Sequence, residues 1–183
     1  EGNVFYEWSS NDLKGETLGD EGSVENDPYT ESKKGFSIGG PLIEDKLFIF
    51  AAYEESEKPR FISQGHAGGS GVERSWLSAA DYNRIVDIAN NVYGYDPGGQ
   101  PGNGNLADEK YMVRVDWNIN ENHNLSAIYN YYDGFENRAS DGDSNEFEFS
   151  NHFYTKGSIS ETSTLKLSSQ WTDAISTEVF YSK

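Results

Sequence analysis

The stretch Tyr111-Met112-Val113-Arg114-Val115-Asp116-Trp117-Asn118-Ile119, followed by Asn120-Glu121-Asn122 and then by His123-Asn124-Leu125-Ser126-Ala127-Ile128-Tyr129-Asn130-Tyr131, decides the fold. In its first half Tyr111, Val113, Val115, Trp117 and Ile119 take one face of an extended chain, and Arg114, Asp116 and Asn118 take the other. In its second half Leu125, Ala127, Tyr129 and Tyr131 oppose Ser126, Ile128 and Asn130. Successive side chains of a strand point to opposite faces, so this period of two predicts two half-buried strands. The three polar residues between them read as a tight hairpin turn.

Five more segments read as strands on either side. Val4, Tyr6 and Trp8 alternate with Phe5 and Glu7, and Phe36 and Ile38 run into Gly39-Gly40-Pro41. Leu47-Phe48-Ile49-Phe50-Ala51-Ala52-Tyr53 is an apolar run. Leu165, Leu167 and Trp171 oppose Lys166, Ser168 and Gln170, and Ile175, Val179 and Tyr181 oppose Ser176 and Glu178. Phe147 and Phe149 alternate with Glu146 and Glu148, a stretch read as loop leading into the sixth strand. The connections alternate in length. Tight turns fall at Glu44-Asp45-Lys46, Asn120-Glu121-Asn122 and Thr172-Asp173-Ala174, and long connections at 10–33, 54–109 and 135–158. This puts every short turn at one end of a sheet and every long loop at the other, the polarity of transmembrane barrels. Charge follows the same division: the long connections hold 7, 9 and 5 acidic residues, 21 of the 31 in the chain. The longest connection contains one predicted helix, with Ser78 as cap, Asp81 three residues on, Tyr82, Ile85, Val86, Ala89 and Val92 at helical spacing, and Gly94 as its stop.

Composition limits the function classes. A formal charge of -17, from 14 Lys+Arg against 31 Asp+Glu, repels nucleic acid. Twelve Tyr, ten Phe and four Trp are too many for a solvating acidic tail and favour β structure. With no cysteine, disulfides, thiolate metal sites and Cys nucleophiles are excluded. No apolar run is long enough for a transmembrane helix, which leaves barrel strands open because their hydropathy signal is weak per segment.

The expected fold is therefore all-β: an antiparallel up-and-down transmembrane β-barrel segment of about seven strands, with long extracellular loops, one containing a short helix. Seven strands do not close a bacterial barrel, which takes an even number, and Val179-Phe180-Tyr181-Ser182-Lys183 reads as mid-strand. Residues 1–183 are thus expected to be part of a larger barrel. Periodicity alone does not separate lumen and lipid from water and core. A soluble secreted β-sandwich that binds carbohydrate through exposed Tyr and Trp is the alternative, and a stable, detergent-free monomer would favour it.

Two long stretches carry a family resemblance. Residues Gly35-Phe36-Ser37-Ile38-Gly39-Gly40-Pro41-Leu42-Ile43-Glu44-Asp45-Lys46-Leu47-Phe48-Ile49-Phe50, then Tyr53-Glu54, form the first; Arg114-Val115-Asp116-Trp117-Asn118-Ile119-Asn120, His123-Asn124-Leu125 and Tyr129-Asn130-Tyr131 form the second. Together with Tyr93-Gly94-Tyr95-Asp96 they resemble the early barrel of TonB-dependent outer-membrane receptors, closest to the Oar-like branch. The resemblance implies a barrel of about 22 strands with a plugged lumen. It also implies a Gram-negative outer membrane, an N-terminal plug domain, energy from the inner-membrane TonB complex, and an extracellular ligand taken up or moved. The chain shows no plug and no TonB-contacting segment, so 1–183 are expected to be the N-terminal part of such a barrel, with those parts upstream of Glu1.

No catalytic constellation stands out, and no enzyme or cofactor is expected. His66, His123 and His152 lie far apart, without a paired metal-binding spacing. Asp141-Gly142-Asp143-Ser144-Asn145 starts like a calcium loop, but Glu146 stands where the turn glycine belongs and His152 where the bidentate Glu belongs. Asp141, Asp143 and Asn145 remain candidates for a looser loop-bound calcium. The glycine-rich stretches 65–71 and 98–104 lack a following Lys-Ser/Thr and read as loop. Glu54, Glu55 and Glu57 read as a solvated acidic face at a strand exit, and Asn124-Leu125-Ser126, a glycosylation sequon, falls inside a strand.

Overall fold

The computed structural model describes residues 1–15, 17, 19, 22, 28–140 and 143–183. Seven strands form one sheet: β1 (Gly2–Ser10), β2 (Thr30–Ile43), β3 (Leu47–Arg60), β6 (Gly104–Asn120), β7 (His123–Arg138), β8 (Tyr154–Thr172) and β9 (Ile175–Ser182). They lie side by side in chain order. A short parallel pair, β4 (Gln64–His66) with β5 (Val72–Arg74), and one helix, α1 (Ala79–Asn91), sit in the connection between β3 and β6. The chain divides into two compact units. The first comprises Glu1–Glu57, Ala107–Gly134 and Ser158–Lys183, and the second Lys58–Leu106 and Phe135–Gly157.

Each expected strand is present, and each expected tight turn has a local cause. Between β2 and β3 the Lys46 N–H donates to the Ile43 carbonyl at 3.0 Å, and Asp45 takes a left-handed φ of 59°. Asp tolerates that conformation better than most residues. Between β6 and β7 the Asn120 side chain accepts from the Asn122 N–H at 2.9 Å. Between β8 and β9 the Thr172 hydroxyl accepts from the Ala174 N–H at 3.3 Å. In each turn a short polar side chain or a left-handed residue closes the loop, as the sequence signals. Pro41 lies beyond the last β1 partner of β2, where a missing N–H removes no ladder bond.

The strands are longer than the apolar alternation indicates. β2 begins at Thr30, β3 runs on to Arg60, β6 starts at Gly104, β7 reaches Arg138 and β8 starts at Tyr154. Glu54, Glu55 and Glu57 are therefore strand residues, which corrects the reading of them as loop. The reason is physical. Apolar alternation reports which face is shielded from water, whereas the ladder needs only backbone groups, and these strand ends keep their ladder while carrying polar residues on both faces.

The helix forms as its sequence predicts. The Ser78 side chain accepts from the Asp81 N–H at 3.0 Å, and Gly94 takes a φ of 64° just past the C-terminal end.

The Asp45 turn yields a test. Replacing Asp45 by Val puts a β-branched residue at positive φ and is expected to cost about 1–2 kcal/mol. Asp45→Gly should cost nothing. Equilibrium denaturant unfolding of the two variants measures the difference.

Candidate functional site

Register decides which side chains share a face of the sheet. Val4 pairs with Phe36 and Phe36 with Tyr53, while Gly2 pairs with Ile38 and Ile38 with Ala51. Across β3 and β6 two contacts lie on one antiparallel register: Ser56 with Asp108, and the Asn118 N–H with the Lys46 carbonyl. That register sets Tyr53 opposite Tyr111 and Ala51 opposite Val113. Across β6 and β7, Ser126 bonds Asp116 and Tyr111 stacks on Tyr131. Across β8 and β9, Leu165 pairs with Tyr181 and Leu167 with Val179. Across β7 and β8 the Gln170 N–H donates to the Asn122 carbonyl at 2.8 Å and the Asn130 side chain to the Thr162 hydroxyl at 3.4 Å, so one face carries the apolar sets of all seven strands.

Nothing among the described residues covers that face. Val113 is 37% exposed, Trp117 46%, Leu165 48% and Val179 63%. The buried hydrophobic residues are Leu77 and Tyr82, and both belong to the second unit. Each large apolar side chain left in water forgoes about 1.5–3 kcal/mol of transfer free energy. A face of this width therefore calls for an apolar environment.

The apolar face has polar limits along the strands. At the long-loop side Phe36 and Tyr53 stack at 5.9 Å and Tyr111 and Tyr131 at 4.8 Å, which forms an aromatic row. The hydroxyls of this row reach carboxylates two residues further on: Tyr53 donates to Glu55 at 3.0 Å and Tyr131 to Asp133 at 3.5 Å. Lys34 pairs with Glu55 at 3.2 Å in the same outer row. At the short-turn side stand Trp117 and Trp171; the Trp171 indole N–H donates to Thr177 at 2.8 Å, and His123 meets the ring at 4.9 Å. From Tyr111 to Ile119 the band runs eight residues, roughly 26 Å along the strand at ~3.3 Å per residue.

The opposite face holds internally paired charges, interspersed with Phe5, Phe48, Phe50 and Met112. Lys33 and Lys110 both reach Glu54, at 3.0 and 2.6 Å, and Lys110 also reaches Asp108 at 3.1 Å. Arg114 grips Asp116 with two bonds at 2.7 and 2.8 Å, and Ser126 donates to the same carboxylate at 2.6 Å. Lys166 meets Glu178 at 2.6 Å. On this face Phe5 folds over Gly35, its nearest ring atoms 2.8 Å from where a Cβ would stand. Glu54 and Glu55, neighbours in sequence, are split between the two faces and bound to different lysines. They do not form a carboxylate pair for acid/base work. Sequence reading passed over the Lys33–Glu54–Lys110 contacts, because nothing in one strand's pattern names its cross-strand neighbour.

The second unit has a small aromatic core of its own. Tyr82 of α1 stacks on Phe149 at 5.3 Å, meets Phe147 edge-on at 5.6 Å and faces His66 at 5.0 Å. Burial raises the Tyr82 pKa above its ordinary value, and a backbone hydrogen bond from Gln100 offsets part of the rise. Glu148, between the two phenylalanines, is buried. It accepts from the Ser140 N–H at 3.1 Å and lies 3.2 Å from His152. The three histidines are dispersed: His66 lies beside Tyr82, His123 on Trp171 and His152 on Glu148. Of the calcium candidates, Asp143 and Asn145 lie in an exposed turn where the Asp143 carbonyl accepts from the Glu146 N–H, and Asp141 lies outside the described residues. Among the described residues no three His, Cys, Asp or Glu side chains come together at metal-binding distance.

Tyr82 carries most of this core. Tyr82→Ala is expected to cost the second unit about 3–5 kcal/mol, in the range of buried aromatic truncations. Limited proteolysis should then cut within 61–103 and 139–153 while the sheet strands stay protected.

No protein-family model matches this chain, and no curated protein and no solved structure is significantly similar to it.

Proposed function

We propose that this chain forms part of the wall of a transmembrane β-barrel in the outer membrane of a Gram-negative bacterium. In this reading the barrel is a TonB-dependent receptor of the Oar-like kind. The wall and its acidic loops would serve active uptake or traffic of a large extracellular ligand, with a plug domain and the TonB complex supplying closure and energy. The observation that carries the reading is the uncovered apolar face, continuous over seven antiparallel strands. Its apolar stretch, from Tyr111 to Ile119, has an aromatic row at one end and Trp117 and Trp171 toward the other, and suits the roughly 9–11 residues with which a tilted strand crosses a bilayer. Backbone groups in lipid must be paired, and the antiparallel ladder pairs them between strands. The paired charges of the other face suit a wet lumen. The receptor class is supported by the sequence resemblance alone.

The second reading, a soluble secreted carbohydrate-binding β-domain, draws on the half-buried Tyr53, Tyr111 and Tyr131, whose rings suit sugar stacking. It would have to leave the rest of the apolar face in water. The calcium site drawn from Asp141, Asp143 and Asn145 is a subsidiary proposal, and calorimetry of the intact receptor without calcium uptake would remove it.

Two experiments test the main reading. Leu167 and Ser168 are neighbours on opposite faces of β8, with Val179 and Glu178 as their partners. In lipid vesicles Leu167→Arg is expected to cost up to about 2–4 kcal/mol, depending on depth, and Ser168→Arg close to nothing. Equal costs for the two would count against a lipid-facing wall. Single-tryptophan variants reconstituted with brominated lipid should show quenching of Trp117 and little of Trp76, which stands in the second unit. A stable water-soluble monomer with unquenched Trp117 would favour the soluble domain instead.

A further inference from the structure

Residues 143–152 contain a three-residue 3-10 turn, Ser150–His152, and no strand, yet they are fastened to the second unit at many points. The Trp76 indole N–H donates to the Ser144 carbonyl and the Arg74 guanidinium to the Glu146 carbonyl, both at 3.0 Å. The Ser150 N–H donates to the Gly99 carbonyl, and the Gly99 N–H returns a bond to the Ser150 hydroxyl, again both at 3.0 Å. These are separate bonds in exposed positions, without the cooperativity of a sheet ladder. The exception is Glu148, whose side chain is 4% exposed. Its backbone N–H donates to the Gln64 side chain at 3.2 Å, and its carboxylate takes the Ser140 N–H. One residue thus joins the exit of β7, the segment itself and β4.

We propose that residues 143–152 are a strap latched by Glu148, which opens as one piece from α1 and the β4–β5 pair and uncovers the aromatic surface of Tyr82 and His66. Segments with few buried apolar groups and exposed hydrogen bonds open at lower free energy than the core that they cover. The strap meets that description, whereas α1 keeps its own cap and its own backbone ladder. Opening requires only that the single bonds and the two phenylalanine contacts part together, while Tyr82 stays on its helix. The strap belongs to the second unit whether or not the sheet faces lipid.

Hydrogen exchange on the folded full chain tests this. The amides of Ser140, Glu148, Ser150 and Asn151, the last bonded to the Pro97 carbonyl at 3.3 Å, should exchange with one common opening constant. In Glu148→Ala they should all speed up by about tenfold or more, as expected for losing a buried charge-assisted bond, while the α1, β6 and β7 amides keep their rates. Glu148→Gln, which retains a neutral acceptor for Ser140, should speed them together by a smaller factor. If Glu148→Ala does not fold, Trp76→Phe removes only the Ser144 bond and should speed the same four amides together by a smaller factor. The proposal is overturned if α1 accelerates by the same factor as the strap, since the segment is then inseparable from the core. It is also overturned if Ser140 alone responds.

Discussion

The structure depends on one constraint, the fixed alternation of side chains across an antiparallel ladder. A shift of one residue in any strand pair would move that strand's whole apolar set to the other face. The pairing of Phe36 with both Val4 and Tyr53, and of Leu167 with Val179, keeps the apolar sets of β1–β3 and of β8–β9 each on one face. Because one face collects these side chains and the other collects Lys33, Glu54, Lys110, Arg114 and Asp116, the sheet has two different environments built into it. A layer with one apolar face needs an apolar medium or an apolar partner to cover it.

Charge is arranged in keeping with that division. On the polar face the ions are paired within the sheet: Lys110 between Glu54 and Asp108, Arg114 on Asp116, Lys166 on Glu178. Each of these pairs is partly exposed and adds little stability alone. Their effect is to let charged residues stand side by side on a strand face without like charges meeting. On the apolar face, past the aromatic row, Tyr53 and Tyr131 hand their hydroxyls to Glu55 and Asp133. A tyrosine there keeps its ring in the apolar band and its polar end beyond it.

The second unit follows a different physical rule. It has little apolar material, and it organises what it has around one ring. Tyr82 gathers Phe147, Phe149 and His66, and hydrogen bonds from Trp76, Arg74 and Gly99 hold the surrounding irregular backbone. Two long connections, far apart in sequence, thereby share one core.

The sequence by itself determined the local features of this protein. Alternation at 111–119 and 125–131 identified strands, Glu44-Asp45-Lys46 and Asn120-Glu121-Asn122 identified turns, and Ser78 and Gly94 bounded the helix. Each of these is set by residues within a few positions of one another, so a linear reading reaches them. The strand ends at 54–60, 104–110 and 154–163 were not legible, because their ladders persist where apolar alternation stops. The union of Lys33, Glu54 and Lys110, the seating of Phe147 and Phe149 on Tyr82 and the burial of Glu148 were decided only by tertiary structure. Those contacts join segments tens of residues apart, and register and loop packing, which no single segment encodes, select the partners.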